Sequence, residues 1–123
     1  GPTVMKRDSI YYMFYSANDY RSIDYAVGYA TAKSPYGPWE KQPGPIIHRS
    51  EVGESGSGHG DFFIGLDKTP YYVYHVHQND TVVDPRTVRI IPLKMDKHRV
   101  SGIFHITAKK KNNVIVPKLF KPE

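Results

Sequence analysis

The sequence has 123 residues, enough for one domain with a modest core, and its 39% hydrophobic and 24% charged residues suit a globular chain. No apolar run reaches the length of a membrane-spanning helix, so no membrane partner is expected. With no cysteine, disulfides and thiolate metal sites are excluded while oxygen-ligated calcium stays open; the net charge of +5 gathers only at Lys109-Lys110-Lys111, in a polar stretch that reads as a solvated loop, so no nucleic-acid partner is expected.

In chain order, Ile10 to Tyr15 is an aromatic, strand-favouring run, followed by turn chemistry at Asn18-Asp19. Ala26 to Ala32 reads as a second strand. Ser34-Pro35-Tyr36-Gly37-Pro38 is a turn, because two prolines and a glycine do not fit a central strand. Trp39 leads into a short extended piece, and Pro43-Gly44-Pro45 breaks the chain before Ile46-Ile47-His48. Residues 51–60 hold four glycines and two serines and read as a loop with unusual backbone angles. Phe62 to Leu66, Tyr71 to His77, Thr87 to Leu93 and Val100 to Thr107 are predicted strands, with Val114-Ile115-Val116 a candidate extra one. No window carries a helical period, so no helix is predicted.

Short strands at regular spacing suit a sandwich, a barrel or a propeller. An internal echo favours the propeller. Ile10-Tyr11-Tyr12-Met13-Phe14-Tyr15 and Pro70-Tyr71-Tyr72-Val73-Tyr74-His75 are both double-tyrosine strands followed by a polar turn and another strand. The predicted organisation is a blade over residues 1–50, a blade over 51–107, and an extra strand and tail over 108–123.

Gly1-Pro2, Lys6, Tyr11 to Ser16, Tyr25 to Ala30, Ser34 to Lys41 and Pro45-Ile46-Ile47 form an ordered set in the first half. Gly56-Ser57-Gly58-His59-Gly60, Tyr72 to His75, Arg86 to Ile90 and Leu93 to Asp96 continue it. Together they resemble glycoside hydrolase family 43, the arabinofuranosidase, xylosidase and arabinanase group, from residue 1 to about residue 96. Gly1-Pro2 has a second explanation as the remnant of a cleaved tag; the match runs on from Thr3.

The resemblance implies an all-β fold: a partial five-bladed β-propeller, about two to two and a half blades of four-stranded antiparallel sheet. It implies inverting hydrolysis of arabinose- or xylose-containing glycans, in which one carboxylic acid protonates the leaving oxygen and a distant carboxylate activates water. The family's acid is a Glu just before the Gly-Pro pair, and its base and tuning Asp come from earlier blades. None of the twelve acidic residues here aligns with those roles. Asp19, Asp24 and Asp61 are the loop carboxylates open as substitutes, against a reading as solvated turn residues. No catalytic residue is therefore assigned, and the chain alone is expected to be inactive.

By the same resemblance His59 matches the axial histidine that contacts calcium or its water shell, the alternative being a buried histidine bonded to backbone. Arg86 matches the arginine that donates to sugar hydroxyls, and Arg89 points to the other face if the strand is regular; the alternative makes both surface charges. His75 and His77 alternate on one strand, a spacing open to zinc or to packing of His75 beside Tyr74. Asn79-Asp80-Thr81 fits the N-glycosylation pattern. The expected partners are a plant-type polysaccharide or oligosaccharide and a second copy of the chain, since two blades expose the sheet faces on which neighbours would pack. The alternative function is a non-catalytic carbohydrate-binding or self-assembling module.

Overall fold

Aromatic and β-branched runs favour extended backbone. The computed structural model describes residues 1–118, and among them these runs form eight strands. β1 (Thr3–Arg7), β2 (Ile10–Ala17), β3 (Ala26–Ala32) and β4 (Glu40–Lys41) pair antiparallel in that order as one sheet. β5 (Gly58–Ile64), β6 (Pro70–Val76), β7 (Thr87–Lys97) and β8 (Phe104–Ala108) do the same as a second. Residues 42–57 connect the sheets and carry a single helical turn, α1 (Arg49–Val52).

The internal echo has a physical meaning. Along β2 the alternation buries Tyr12 and Phe14 and sends Tyr11, Met13 and Tyr15 to the opposite face. β6 occupies the same second place in its own sheet and buries Tyr72, Tyr74 and Val76. The two buried faces belong to one core. Phe14 sits among the rings of Tyr29, Phe62 and Tyr72, with centroids at 6.2, 5.8 and 5.5 Å.

Hydroxyls of the first sheet reach the backbone of the second. Tyr12 Oη accepts from the Phe104 N–H at 2.9 Å, and Tyr29 Oη from the Ile106 N–H at 3.1 Å. Burial raises both phenol pKa values, so both hydroxyls keep their protons. Tyr29→Phe removes the acceptor and leaves a buried N–H unpaired. The expected cost is about 1–3 kcal/mol, read as a lower urea midpoint at unchanged slope.

Several predicted boundaries move. β1 was not predicted, because only Met5 along it is buried and no alternation shows. The absence of helix is corrected by α1 and by a 3-10 turn at Lys111–Asn113. A four-residue helix is too short to show a period; it forms because the His48 side chain accepts the Ser50 N–H and Gly53 closes it in the left-handed region at φ 81°. The glycine-rich loop ends early, with β5 starting inside it at Gly58. The strand expected from Val100 starts at Phe104, since His98 to Gly102 form a turn closed by His98 Nδ1. Beyond β8, Ile115 makes only an isolated bridge to Ile90. The predicted tail beyond residue 118 lies outside the described residues.

Candidate functional site

The start of β5 is bulged. Gly58 pairs with His75 and Asp61 with Val73, so β5 spends one residue more than β6 over the same span. His59 takes up the difference at φ 53°, an unusual angle for a residue with a side chain, and its N–H donates to Ser16 Oγ at 2.8 Å. The exposed His59 ring then stacks on His75, centroids 5.8 Å apart and planes 13° from parallel. Both line a cleft of about 410 Å³ with Gly60, Asp61, Val73, Tyr74 and Val88. Burial, then the positive Arg86 and neighbouring His59, push the His75 imidazole pKa down, which keeps it neutral. Its Nδ1 is buried without a hydrogen-bond partner among the described residues.

Two arginines flank this end of the second sheet and differ sharply. Arg89 is spent on Glu54, with Nε and a terminal nitrogen at 2.9 and 3.1 Å from its two oxygens. Arg86 keeps its donors freer: its Nε lies 3.5 Å from one oxygen of the exposed Asp84, and its guanidinium sits 5.3 Å from the Tyr20 ring centre. A guanidinium so held can still offer a planar fork to vicinal hydroxyls.

The model of glycosyl hydrolases family 43 matches residues 1–100 of this sequence. The chain belongs to that family. A β-D-galactofuranosidase of Aspergillus niger is 35% identical over 91 residues, which are 73% of this chain and 27% of that relative. An endo-1,4-β-xylanase structure from Bacteroides thetaiotaomicron superposes with a TM-score of 0.83 at 33% identity, over 98% of this chain and 40% of that one. A thermostable family 43 glycoside hydrolase superposes at 0.76 and 37% identity, over 98% and 38%. The fold is thus all-β, with the two sheets forming part of the family 43 propeller, and the chain spans about a quarter to two-fifths of these relatives.

Within this family 43 segment the predicted site residues separate. His59, His75 and Arg86 lie at one end of the second sheet, where Arg86 acts electrostatically on His75. The buried alternative for His59 is corrected, because the bulge turns its ring outward. His75 packs on His59 rather than simply beside Tyr74. His77 lies past the end of β6 with its Nε2 2.7 Å from the Tyr20 carbonyl, so the two histidines do not converge on a zinc ion. Arg89 is neither free nor a surface charge. No group of three His, Asp or Glu residues suited to a metal occurs among the described residues. Calcium needs six to eight oxygen ligands, and a histidine stacked on a histidine does not provide them, so these residues do not fit the ion by themselves.

The substitute carboxylates are pinned. Asp19 accepts the Arg21 side chain at 2.8 and 3.0 Å and its N–H at 2.9 Å, which lowers its pKa to about 2. Hydrogen bonds from Arg49 and His48 lower that of Asp24. A general acid needs the opposite shift. Asp61 accepts from Thr3 Oγ1 at 2.6 Å and the Phe62 N–H at 2.8 Å. Because folding depresses the Asp19 pKa, the Asp19–Arg21 clamp is intact at neutral pH. It weakens as pH falls below the ordinary 3.8 toward about 2. A carbon-13 titration should find that carboxyl near 2, and Arg21→Gln should return it toward 3.8.

The signal missed in the sequence was Tyr20. It stands alone in a polar loop, and nothing in its spacing places it against Arg86, 66 positions later.

Proposed function

We propose that this chain forms part of the glycan-binding face of an inverting glycosidase acting on arabinose- or xylose-containing glycans of the plant type. Arg86 is the residue that donates to sugar hydroxyls. The observation that carries this reading is the contrast between the arginines: Arg89 is bidentate on Glu54, whereas Arg86 beside the His59–His75 cleft retains donors for a ligand. The xylanase relative supports xylose-containing substrates, and the galactofuranosidase relative keeps furanosides in range. The low pKa values of Asp19 and Asp24 support assigning the catalytic acid to neither, and the acid, base and tuning carboxylates are assigned to none of the described residues.

The test is calorimetric titration with xylohexaose. The chain should bind it, and Arg86→Ala should weaken binding about ten- to hundredfold, the size expected for lost charged hydrogen bonds. Absence of binding, or an Arg86→Ala affinity equal to the parent, would overturn the reading. Turnover of aryl arabinofuranosides or xylosides that survives extensive purification supports the hydrolase. Binding without turnover by the chain alone fits both this reading and the alternative, a non-catalytic carbohydrate-binding or self-assembling module.

One observation favours self-assembly. Val4, 45% exposed, pairs across the strands with Met13 and shares with Tyr11 and Tyr15 the face of the first sheet turned away from the core. Lys6 and Lys41 lie over the Tyr11 and Tyr15 rings, and a mixed face of this kind, with Val4 and Met13 between, suits a second copy of the chain. Light scattering over a concentration series, with and without calcium, should give about twice the 14.0 kDa chain mass. A monomer at every concentration would contradict this. Calcium enters the reading only as an ion that His59 would approach and that other residues would have to ligate.

A further inference from the structure

We propose that Tyr20 is a positioning residue for Arg86, held in place by His77, so that the loop leaving the first sheet sets the aim of the sugar-binding arginine on the second. This rests on the reading of Arg86 given above.

The loop between β2 and β3 is a rigid arm. Asn18 turns in the left-handed region at φ 71° and its Nδ2 donates to the Asp24 carbonyl at 2.9 Å. Asp19 clamps Arg21, the Ser22 N–H reaches the Asp19 carbonyl at 2.8 Å, and the Tyr25 N–H reaches that of Ser22 at 3.1 Å. The arm is fixed at two points, one on the connector between the sheets and one just past the end of β6. The Gly56 N–H donates to the Ile23 carbonyl at 3.0 Å, and His77 Nε2 lies 2.7 Å from the Tyr20 carbonyl. A carbonyl only accepts, so this ring nitrogen carries the proton.

His77 is itself immobilised. It is 5% exposed, and its N–H donates to the Ser55 carbonyl at 2.9 Å. Gly56 lies so close over its ring that a Cβ there would meet Cδ2 at 2.0 Å. A buried histidine whose ring fastens a carbonyl of a distant loop fixes that loop rather than a metal.

Tyr20 leaves this anchor 48% exposed, and Arg86 lies over its ring. Arg21 also lies over the ring, at 5.8 Å, so the ring serves guanidinium groups and is not a vacant shelf for sugar. The ring face attracts a cation through its quadrupole while using none of the N–H donors. Asp84 offers one long contact and would by itself leave the guanidinium plane free to turn. Tyr20 supplies the second restraint.

Two experiments on the full chain separate this inference from the reading beneath it. The first needs no ligand. Side-chain NMR of Arg86 should show an upfield ring-current displacement of its Nε–H and Cδ–H signals, lost in Tyr20→Leu and kept in Tyr20→Phe. The second is xylohexaose titration. Tyr20→Leu should weaken binding about two- to fivefold, the fold-change of an exposed cation–π contact, and Tyr20→Phe should restore it. In an Arg86→Ala background Tyr20→Leu should change nothing further. His77→Phe, which keeps a ring under Gly56 but loses the donor, should behave like Tyr20→Leu. Unchanged Arg86 signals in Tyr20→Leu overturn the inference. So does a loss of affinity in Arg86→Ala that Tyr20→Leu does not share in any part. An Arg86→Ala variant that binds normally overturns the reading of Arg86 instead, while the NMR displacement still decides whether Tyr20 holds it.

Discussion

Phe14→Ala should destabilise the chain by about 3–5 kcal/mol, the cost of truncating a fully buried aromatic ring. Phe14 is wholly inaccessible, and its ring meets Tyr29 of its own sheet and Phe62 and Tyr72 of the other. It therefore holds the two sheets together, and the cavity left by alanine cannot close without moving one sheet on the other. Small domains are stable by only about 5–15 kcal/mol, so the variant should lose a large share of the chain's stability. Phe14→Leu refills most of the volume and should cost much less. Urea denaturation at constant slope reads both values. A Phe14→Ala midpoint within error of the parent would show that the ring does not bridge the sheets.

Gly60→Ala should cost about 3 kcal/mol or more, at the upper end of overpacking penalties. A Cβ on residue 60 would stand 1.7 Å from the Val73 carbonyl oxygen and 3.0 Å from the Tyr72 ring. The first obstacle is backbone in the neighbouring strand, so no rotamer change relieves it, and β5 must separate from β6. The melting temperature should fall by 10 °C or more, on the order expected for that loss in a domain of this size. The damage should also reach the site, since residue 60 lies between His59 and Asp61 on the cleft. A variant that melts with the parent and keeps its His59 and His75 signals would contradict the bulged register.

Legibility in the sequence followed burial. The buried alternation of Tyr12 and Phe14, repeated by Tyr72 and Tyr74, announced two matching strands because a face turned to the core constrains every second residue. β1 escaped notice because Met5 alone is buried along it, and α1 because four residues do not complete a period. The ordered motifs identified the family, which the match over residues 1–100 bears out. The site was less legible. Arg86 was named, yet its contrast with Arg89 rests on Glu54, 35 positions away, and its support rests on Tyr20. Spacing along a strand reports which face a residue occupies; it carries no information on a loop folded over from another sheet. His77 illustrates the limit, since its alternation with His75 suggested a shared ligand while its ring faces a carbonyl of the loop between β2 and β3.

The most direct measurement is an NMR titration of the chain with xylohexaose, followed at backbone amides. Shifts are expected at Tyr20, His59, His75 to Gln78 and Arg86 to Val88, with the hairpin tip at Gly65 to Thr69 unmoved. Shifts confined to that tip or to the outer face around Tyr11 and Met13, or none at saturating sugar, would contradict this.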